Sequence, residues 1–415
     1  LAVDVAIVGA GAAGLATGIF LRRLNPGVRV VVLDGARRPG AKILVSGGSR
    51  CNVTNAIVTE RDFQGGSRPV IRRVLRALPV PETVAFFEEI GVRLHEEPGG
   101  KLFPDSNRSR DVLEALLREL ERTGAALHSG RRVLGVERTA EGFRLDTAGP
   151  PLHASFVVLA TGGQSLPKTG SDGAGYEMAR ALGHAIVPTT PALVPLTLDP
   201  AAEGGIHQAL SGVSHDVTLA IWIDGAVALR LDGALLWTHF GISGPVVLDA
   251  SRHWLRARLE GRPVQITASF VPGGDFDAVD RRWTAIADER PRATIQTVLA
   301  TLVPASVASA VLAHLELAPD RIGARLGRDD RRRLARALTA WPLPVSGSRG
   351  YNYAEATAGG VDLREVDPST LESRRCPGLF LVGEILDVDG RIGGFNFQWA
   401  WSSGRVAGAA LARRT

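Results

Sequence analysis

The run DVAIVGAGAAG, from Asp4 to Gly14, constrains the fold more tightly than any other part of this chain. A short apolar, β-branched stretch leads into Gly9, Gly11 and Gly14 at GxGxxG spacing, and ATGIFLRRL then continues with helical periodicity. A second apolar stretch, Val28 to Leu33, ends in Asp34, 20 residues beyond Gly14. Strand, glycine turn, helix, strand and acid in that order predict a βαβ dinucleotide-binding unit. Gly9 permits the tight turn, Gly11 lets a pyrophosphate approach the backbone, and Gly14 lets the helix pack on the strand. The helix start, with Ala12 and Ala13, directs N–H groups and a positive dipole end at phosphates, while Asp34 accepts from ribose hydroxyls.

The motif alone does not separate NAD from FAD, and two further segments do. FVVLATGG (Phe156–Gly163) reads as a buried strand ending in Ala160, Thr161 and Gly162, where small residues let backbone come close to a ligand. GLFLVGE (Gly378–Glu384) is a second such strand, ending in Gly383 and Glu384 and followed by a glycine turn and an apolar helix. A ligand touched by both chain ends is the flavoprotein arrangement, because a helix N-terminus stabilises negative charge on a reduced flavin ring. The expected class is therefore α/β: an FAD-binding Rossmann domain formed by residues 1–189 and 345–415, with a β-rich insert at 190–272 and a helical insert at 273–344.

Composition limits the alternatives. The 415 residues carry 48 basic and 43 acidic side chains, but only Lys42, Lys101 and Lys168 are lysines. Such arginine bias weakens the inference from a basic chain to nucleic acid. Each lysine lies in a glycine-rich or loop-like segment, where a compact ammonium serves a tight cofactor site or has survived by chance. Cys51 and Cys376 are too few for a disulfide framework, and no Cys/His cluster offers metal-ligand spacing, so a reducing cytoplasm and no metal are expected. The first strand begins at Val3, which leaves no space for an export signal. The uncharged stretch between Arg292 and Glu316 contains Pro304 and several polar residues, and it predicts two short packed helices rather than a membrane span.

Five segments resemble one bacterial family. PGAKILVSGGSRCNVTN (Pro39–Asn55), LPKTGSDGAGYEMARALGH (Leu166–His184), THFGISGP (Thr238–Pro245), TAGGVDL (Thr357–Leu363) and GEILDVDGRIGGFNFQWAWSSG (Gly383–Gly404) are similar to BaiN-type, aminoacetone-oxidase-like FAD-dependent oxidoreductases. The resemblance implies a glutathione-reductase-like FAD domain interrupted by a β-barrel-like and a helical segment. It places FAD pyrophosphate on Gly9 to Gly14, ribose on Asp34, and adenine against backbone near Val133. Lys42 and the Ser46, Gly47, Gly48 turn would follow the cofactor toward the flavin. Gly383, Glu384, Asp387, Gly394, Phe395 and Asn396 would hold the ribityl and pyrimidine end.

Three groups stand out for chemistry. Cys51 could protonate a carbanion, with Arg50 lowering its pKa or holding an anionic substrate; the alternatives are a buried small hydrophobe and a structural guanidinium. His239, in the glycine-rich WTHFGISGP turn, is the best histidine, as a proton donor or as a structural residue. The basic run from Arg321 is a solvated helix face or a nucleic-acid contact. No second GxGxxG follows a strand of the right kind, so NAD(P)H is expected as a transient reductant without its own domain. The favoured activity is reduction of a conjugated C=C bond with NAD(P)H, of a small molecule or of uridine in RNA to dihydrouridine. An oxygen-dependent amine oxidase and a non-catalytic FAD-binding protein are the alternatives.

Overall fold

A computed structural model describes residues 2–415 and divides them into two compact units. The first comprises the chain up to Pro191 together with Ala354–Thr415. Its central strand, β1 (Ala2–Val8), pairs in parallel with β2 (Val30–Asp34) on one side and with Gly149–Leu159 on the other. Strand Leu379–Leu381 then joins the end of Gly149–Leu159, also in parallel. Val5, Ala6 and Ile7 are fully buried, as a parallel strand covered on both faces must be. The beginning of Gly149–Leu159 pairs antiparallel with Gly142–Thr147, which pairs with Val133–Thr139.

Helix α1 (Ala12–Leu24) follows β1 directly, and the C-terminal helix Phe395–Ala412 lies against it. Small residues set that approach. A Cβ at Gly404 would stand 2.9 Å from the Ala13 carbonyl oxygen, and one at Gly408 3.0 Å from the Leu21 nitrogen. Trp399, Trp401, Val406 and Leu411 are buried around the helix, which marks an element packed on nearly all sides.

The second unit spans Ala192–Tyr353. Its seven-stranded sheet runs in pairing order from Trp341–Leu343 through Val264–Ser269, Ser214–Ile223, Ala226–Thr238, Gly241–Ser243 and Leu196–Leu198 to Val345–Ser348. The two end strands are joined by the single residue Pro344, which forces the sheet to curl into a barrel-like form. Helices Phe276–Glu289, Ala305–His314 and Arg328–Thr339 share one core with that sheet: Trp283, Val307 and Leu334 belong to the same buried cluster as Trp237, Phe270 and Trp341. The separate inserts expected at 190–272 and 273–344 are thus one unit, and its boundaries fall after Pro191 and Tyr353. The chain leaves the helices and returns to the same sheet through two strands too short to be read from periodicity. The uncharged stretch forms helices Ile295–Leu299 and Ala305–His314, with Pro304 as N-cap of the second. No described helix is long and apolar enough to cross a membrane.

Candidate cofactor site

Four parallel strand ends gather the predicted cofactor residues in the first unit. Gly9 closes β1 with φ +106°, and its missing Cβ would meet the Ala160 carbonyl oxygen at 2.4 Å. A Cβ at Gly14 would strike the Gly9 oxygen at 1.9 Å, so both positions demand glycine because of the protein's own packing. Gly11 differs. No atom of the protein lies within 4 Å of where its Cβ would stand, so the space beside this backbone is open. The first intrahelical bond of α1 runs from Leu15 N to Gly11 O, which leaves the N–H groups of Ala12, Ala13 and Gly14 ahead of it at the positive end of the helix. The turn fits a pyrophosphate on the ground its sequence predicts: room where a side chain would be, and donors that face it.

Asp34 is fixed at the end of β2. Its Oδ2 accepts from the Ala10 N–H and its Oδ1 from the Ala36 N–H, each at 2.8 Å. Each carboxylate oxygen retains a lone pair for a ribose hydroxyl. Arg131 N and Gly130 N donate to the carbonyls of Asp34 and Ala36, which brings the chain entering Val133 alongside the acid. The Val133 side chain itself is buried. At the next strand ends, Ala160 N donates to Val8 O and Val382 N to Leu159 O, so Ala160 to Gly162 and Gly383 adjoin the glycine turn. A Cβ on Gly383 would lie 2.7 Å from that of Ala13.

Lys42, on α2 (Ala41–Ser49), forms an ion pair with Glu384 and donates to Ser165 Oγ at 2.6 Å. Ser165 Oγ donates to Glu384 Oε1 at 2.8 Å, and Thr357 N donates to the same oxygen at 2.9 Å. Thr357 Oγ1 accepts from the N–H groups of Gln164 and Ser165. Both charged side chains are three-quarters or more buried, so the pair is shielded and ordered. Ser165 and Thr357 did not stand out in the sequence: they are ordinary hydroxyl residues 192 positions apart. Lys101 forms a hairpin strand and Lys168 a 3-10 turn; the described contacts bring only Lys42 to this network.

The end of α2 and the residues that follow it are strained. The helix breaks at Ser46, and Gly47, Gly48, Ser49 and Cys51 all take left-handed φ between 53° and 68°. Non-glycine residues adopt that region at a cost, which the surrounding bonds must offset. Those bonds tie the loop to the start of the C-terminal helix: Asn55 Nδ2 donates to Gly393 O, Thr54 Oγ1 to Gln398 Oε1, and Trp401 Nε1 to Val53 O. Gly394 caps this helix with φ +92°, and the N–H groups of Phe395, Asn396 and Phe397 precede its first bond, Gln398 N to Gly394 O. The Phe395 ring turns inward to Phe63, leaving only its backbone to face a ligand. Asn396 pairs in both directions with the backbone of Gly390. Asp387 holds Gly66 N and Val361 O through its backbone.

The expected activation of Cys51 is not found. Its side chain is fully buried, and burial pushes the thiol up to about 12, opposed only by a hydrogen bond with Ser46. Arg50 turns away from it, paired with Glu97 at 2.6 Å and stacked over Phe103 at 4.1 Å. His239 lies in the second unit, exposed at the two-residue tip between Ala226–Thr238 and Gly241–Ser243. Among the described residues no His/Cys/Asp/Glu group is arranged to hold a metal.

The sequence model of the HI0933-like protein Rossmann domain matches residues 3–410. A 3-dehydro-bile acid delta(4,6)-reductase of Clostridium scindens is 34% identical over 412 residues, covering 99% of both chains. A ribosomal RNA dihydrouridine synthase of Escherichia coli is 34% identical over 406 residues, covering 96% of both. Among solved structures, E. coli quinol fumarate reductase superposes with a TM-score of 0.51 at 16% identity, over 100% of this chain and 70% of the other.

Proposed function

We propose that this chain, which belongs to the HI0933-like family, is an FAD-dependent oxidoreductase that reduces a conjugated C=C bond, with NAD(P)H as the electron donor. The observation that carries the cofactor is the open space at Gly11 among the converging strand ends. Bound there, FAD supplies hydride transfer, which no protein side chain offers. The chain's own residues bind and orient. The α1 start with Gly11, Ala12, Ala13 and Gly14 would hold the pyrophosphate, Asp34 the ribose, and the backbone before Val133 the adenine. Lys42, Glu384, Ala160, Thr161 and Gly162 would line the path to the flavin. The N–H groups of Phe395 and Asn396, at the start of the helix that Gly394 caps, would with Asp387 hold the ribityl and pyrimidine end and favour the negative charge of the reduced ring.

Reduction of a conjugated bond also needs a proton on the carbon opposite the hydride. A thiol raised to about 12 and sealed from solvent is a poor donor, so that role does not fall to Cys51. A uridine in RNA is the second acceptor reading, supported by the full-length relative named as a ribosomal RNA dihydrouridine synthase, whose chemistry is also reduction of a ring C=C bond. Two free, buried cysteines fit a cytoplasmic setting. The experiment is anaerobic mixing of the yellow, FAD-loaded protein with NADH or NADPH, then with a conjugated enone or a uridine-containing RNA. Bleaching near 450 nm by a nicotinamide and recovery on addition of the acceptor are expected.

A further inference from the structure

The first unit holds a cavity of about 540 Å³ lined by Ala185, Asp362, Arg364, Glu365, Arg374 and Arg375. Asp362 follows strand Ala356–Val361, near whose other end Thr357 reaches Glu384, so roughly 16 Å of extended chain lies between this cavity and the cofactor network. Three guanidinium groups and two carboxylates line it, an excess of one positive charge. Each guanidinium is held along one edge. Arg364 Nε donates to Asp362 Oδ1 and Oδ2 at 3.0 and 2.9 Å, and Arg375 Nε to Glu365 Oε1 at 3.0 Å. Arg374 Nε donates to Val366 O at 3.1 Å, with Asp367 4.0 Å from its Nη2. Among the described residues, no acceptor meets the Nη1 group of any of the three.

Buried groups fix this arrangement from below. The His184 side chain is fully buried, with Nδ1 3.0 Å from Glu365 Oε2 and Nε2 2.8 Å from Ser373 Oγ. Ser373 Oγ accepts the N–H groups of Arg375 and Cys376, which occupies both its lone pairs, so its own proton goes to His184 Nε2. His184 Nδ1–H then donates to Glu365, and the imidazole is neutral; burial, which pushes its pKa down, favours the same state. Ala185 N donates to Glu365 Oε2 at 2.9 Å, and Arg374 N to Glu365 O at 2.8 Å. The acid that grips Arg375 and the turn that carries Arg374 and Arg375 are thus one hydrogen-bonded unit, which a ligand need not order. An amino group left open on each of three held guanidinium planes suits the several oxygens of a phosphate, and the volume is that of a small-molecule site. We propose that this cavity binds a phosphate group through Arg364, Arg374 and Arg375, at a site separate from that of the cofactor. A free phosphate compound and the phosphodiester of a polynucleotide both present that group. Such binding is independent of the flavin reaction.

Calorimetry on the FAD-loaded protein, whose glycine turn is then occupied, tests it with inorganic pyrophosphate, with uridine 5′-monophosphate against uridine, and with a short oligouridylate lacking terminal phosphates. At least one phosphate probe is expected to bind, and uridine to bind about tenfold or more weakly than that probe. Binding of pyrophosphate or the monophosphate but not the oligomer assigns the site to free phosphate compounds, and tighter binding of the oligomer assigns it to phosphodiesters. Arg364 and Arg374 are 86% and 54% exposed, so Arg364→Gln and Arg374→Gln leave the buried support in place. Each should weaken the bound probe by about tenfold, with FAD content and unfolding midpoint equal to the parent protein's, and Arg374→Lys should keep part of the affinity. Absence of binding by every phosphate probe, or affinity unchanged when both arginines are replaced by Gln, overturns the proposal.

Discussion

A side chain at position 11 would point into the space that a pyrophosphate needs, and would meet nothing else. Gly11→Val should therefore leave the fold intact while weakening FAD binding by about tenfold or more, roughly 1.4 kcal/mol. Ultrafiltration of the holoprotein with the absorbance of the filtrate measures this; retention equal to the parent protein would contradict the assignment. Cys51 makes an opposite prediction. Being fully buried, with its thiol raised to about 12, it cannot serve the acceptor, so Cys51→Ala should change flavin reoxidation by an organic acceptor by less than about threefold. A loss of about 100-fold in Cys51→Ala with full FAD content would contradict this. The cofactor glycines and Asp34 were readable in the sequence because each acts within a few residues of its neighbours. The Lys42 to Glu384 pair was visible only as two separate residues, since its members stand 342 positions apart and a fold is needed to join them.

At the scale of elements, the approach of α1 to the C-terminal helix depends on the absence of two side chains. Gly404→Val would press a branched side chain against the Ala13 carbonyl oxygen and the Thr17 nitrogen. The variant should lose about 1–3 kcal/mol by overpacking, and because Ala13 belongs to the cofactor turn, FAD retention should fall with stability. Urea unfolding with and without added FAD would show both effects; an unchanged midpoint would mean the helices can slide apart without cost. Helix Pro245–Leu259 of the second unit carries His253, whose imidazole is pushed down to about 4 by burial, with Arg252 adding to the effect. Unfolded, the same group titrates near 6.5. Between those values the unfolded chain takes up a proton that the folded one refuses, so stability falls as pH drops from about 6.5 toward 4. Unfolding midpoints at pH 7.5 and 4.5 should differ less in His253→Gln than in the parent protein. The glycine-flanked apolar runs marked these cofactor-side elements in advance. Trp341–Leu343 and Val345–Ser348, three and four residues long, carry too little alternation to announce that the chain rejoins its sheet.

For the whole molecule, the discontinuous first unit is the feature that follows most directly from physical reasoning on the sequence. Two strand ends with small residues, one near each terminus, have to meet if both are to touch one ligand, and Gly383 does lie against Ala13. The division of the middle was less legible, because helices and strands of Ala192–Tyr353 fill a single core that no local pattern reveals. On the proposed reading, electrons pass from a nicotinamide to the bound flavin and on to a conjugated C=C bond. Anaerobic stopped-flow absorbance near 450 nm tests it most directly, by following the protein first with NADH or NADPH and then with an enone or uridine-containing RNA. Bleaching by a nicotinamide without a saturating submicromolar complex is expected, with recovery of the band on addition of one acceptor. No bleaching by either nicotinamide, with rapid bleaching by a primary amine and recovery in oxygen, would contradict it.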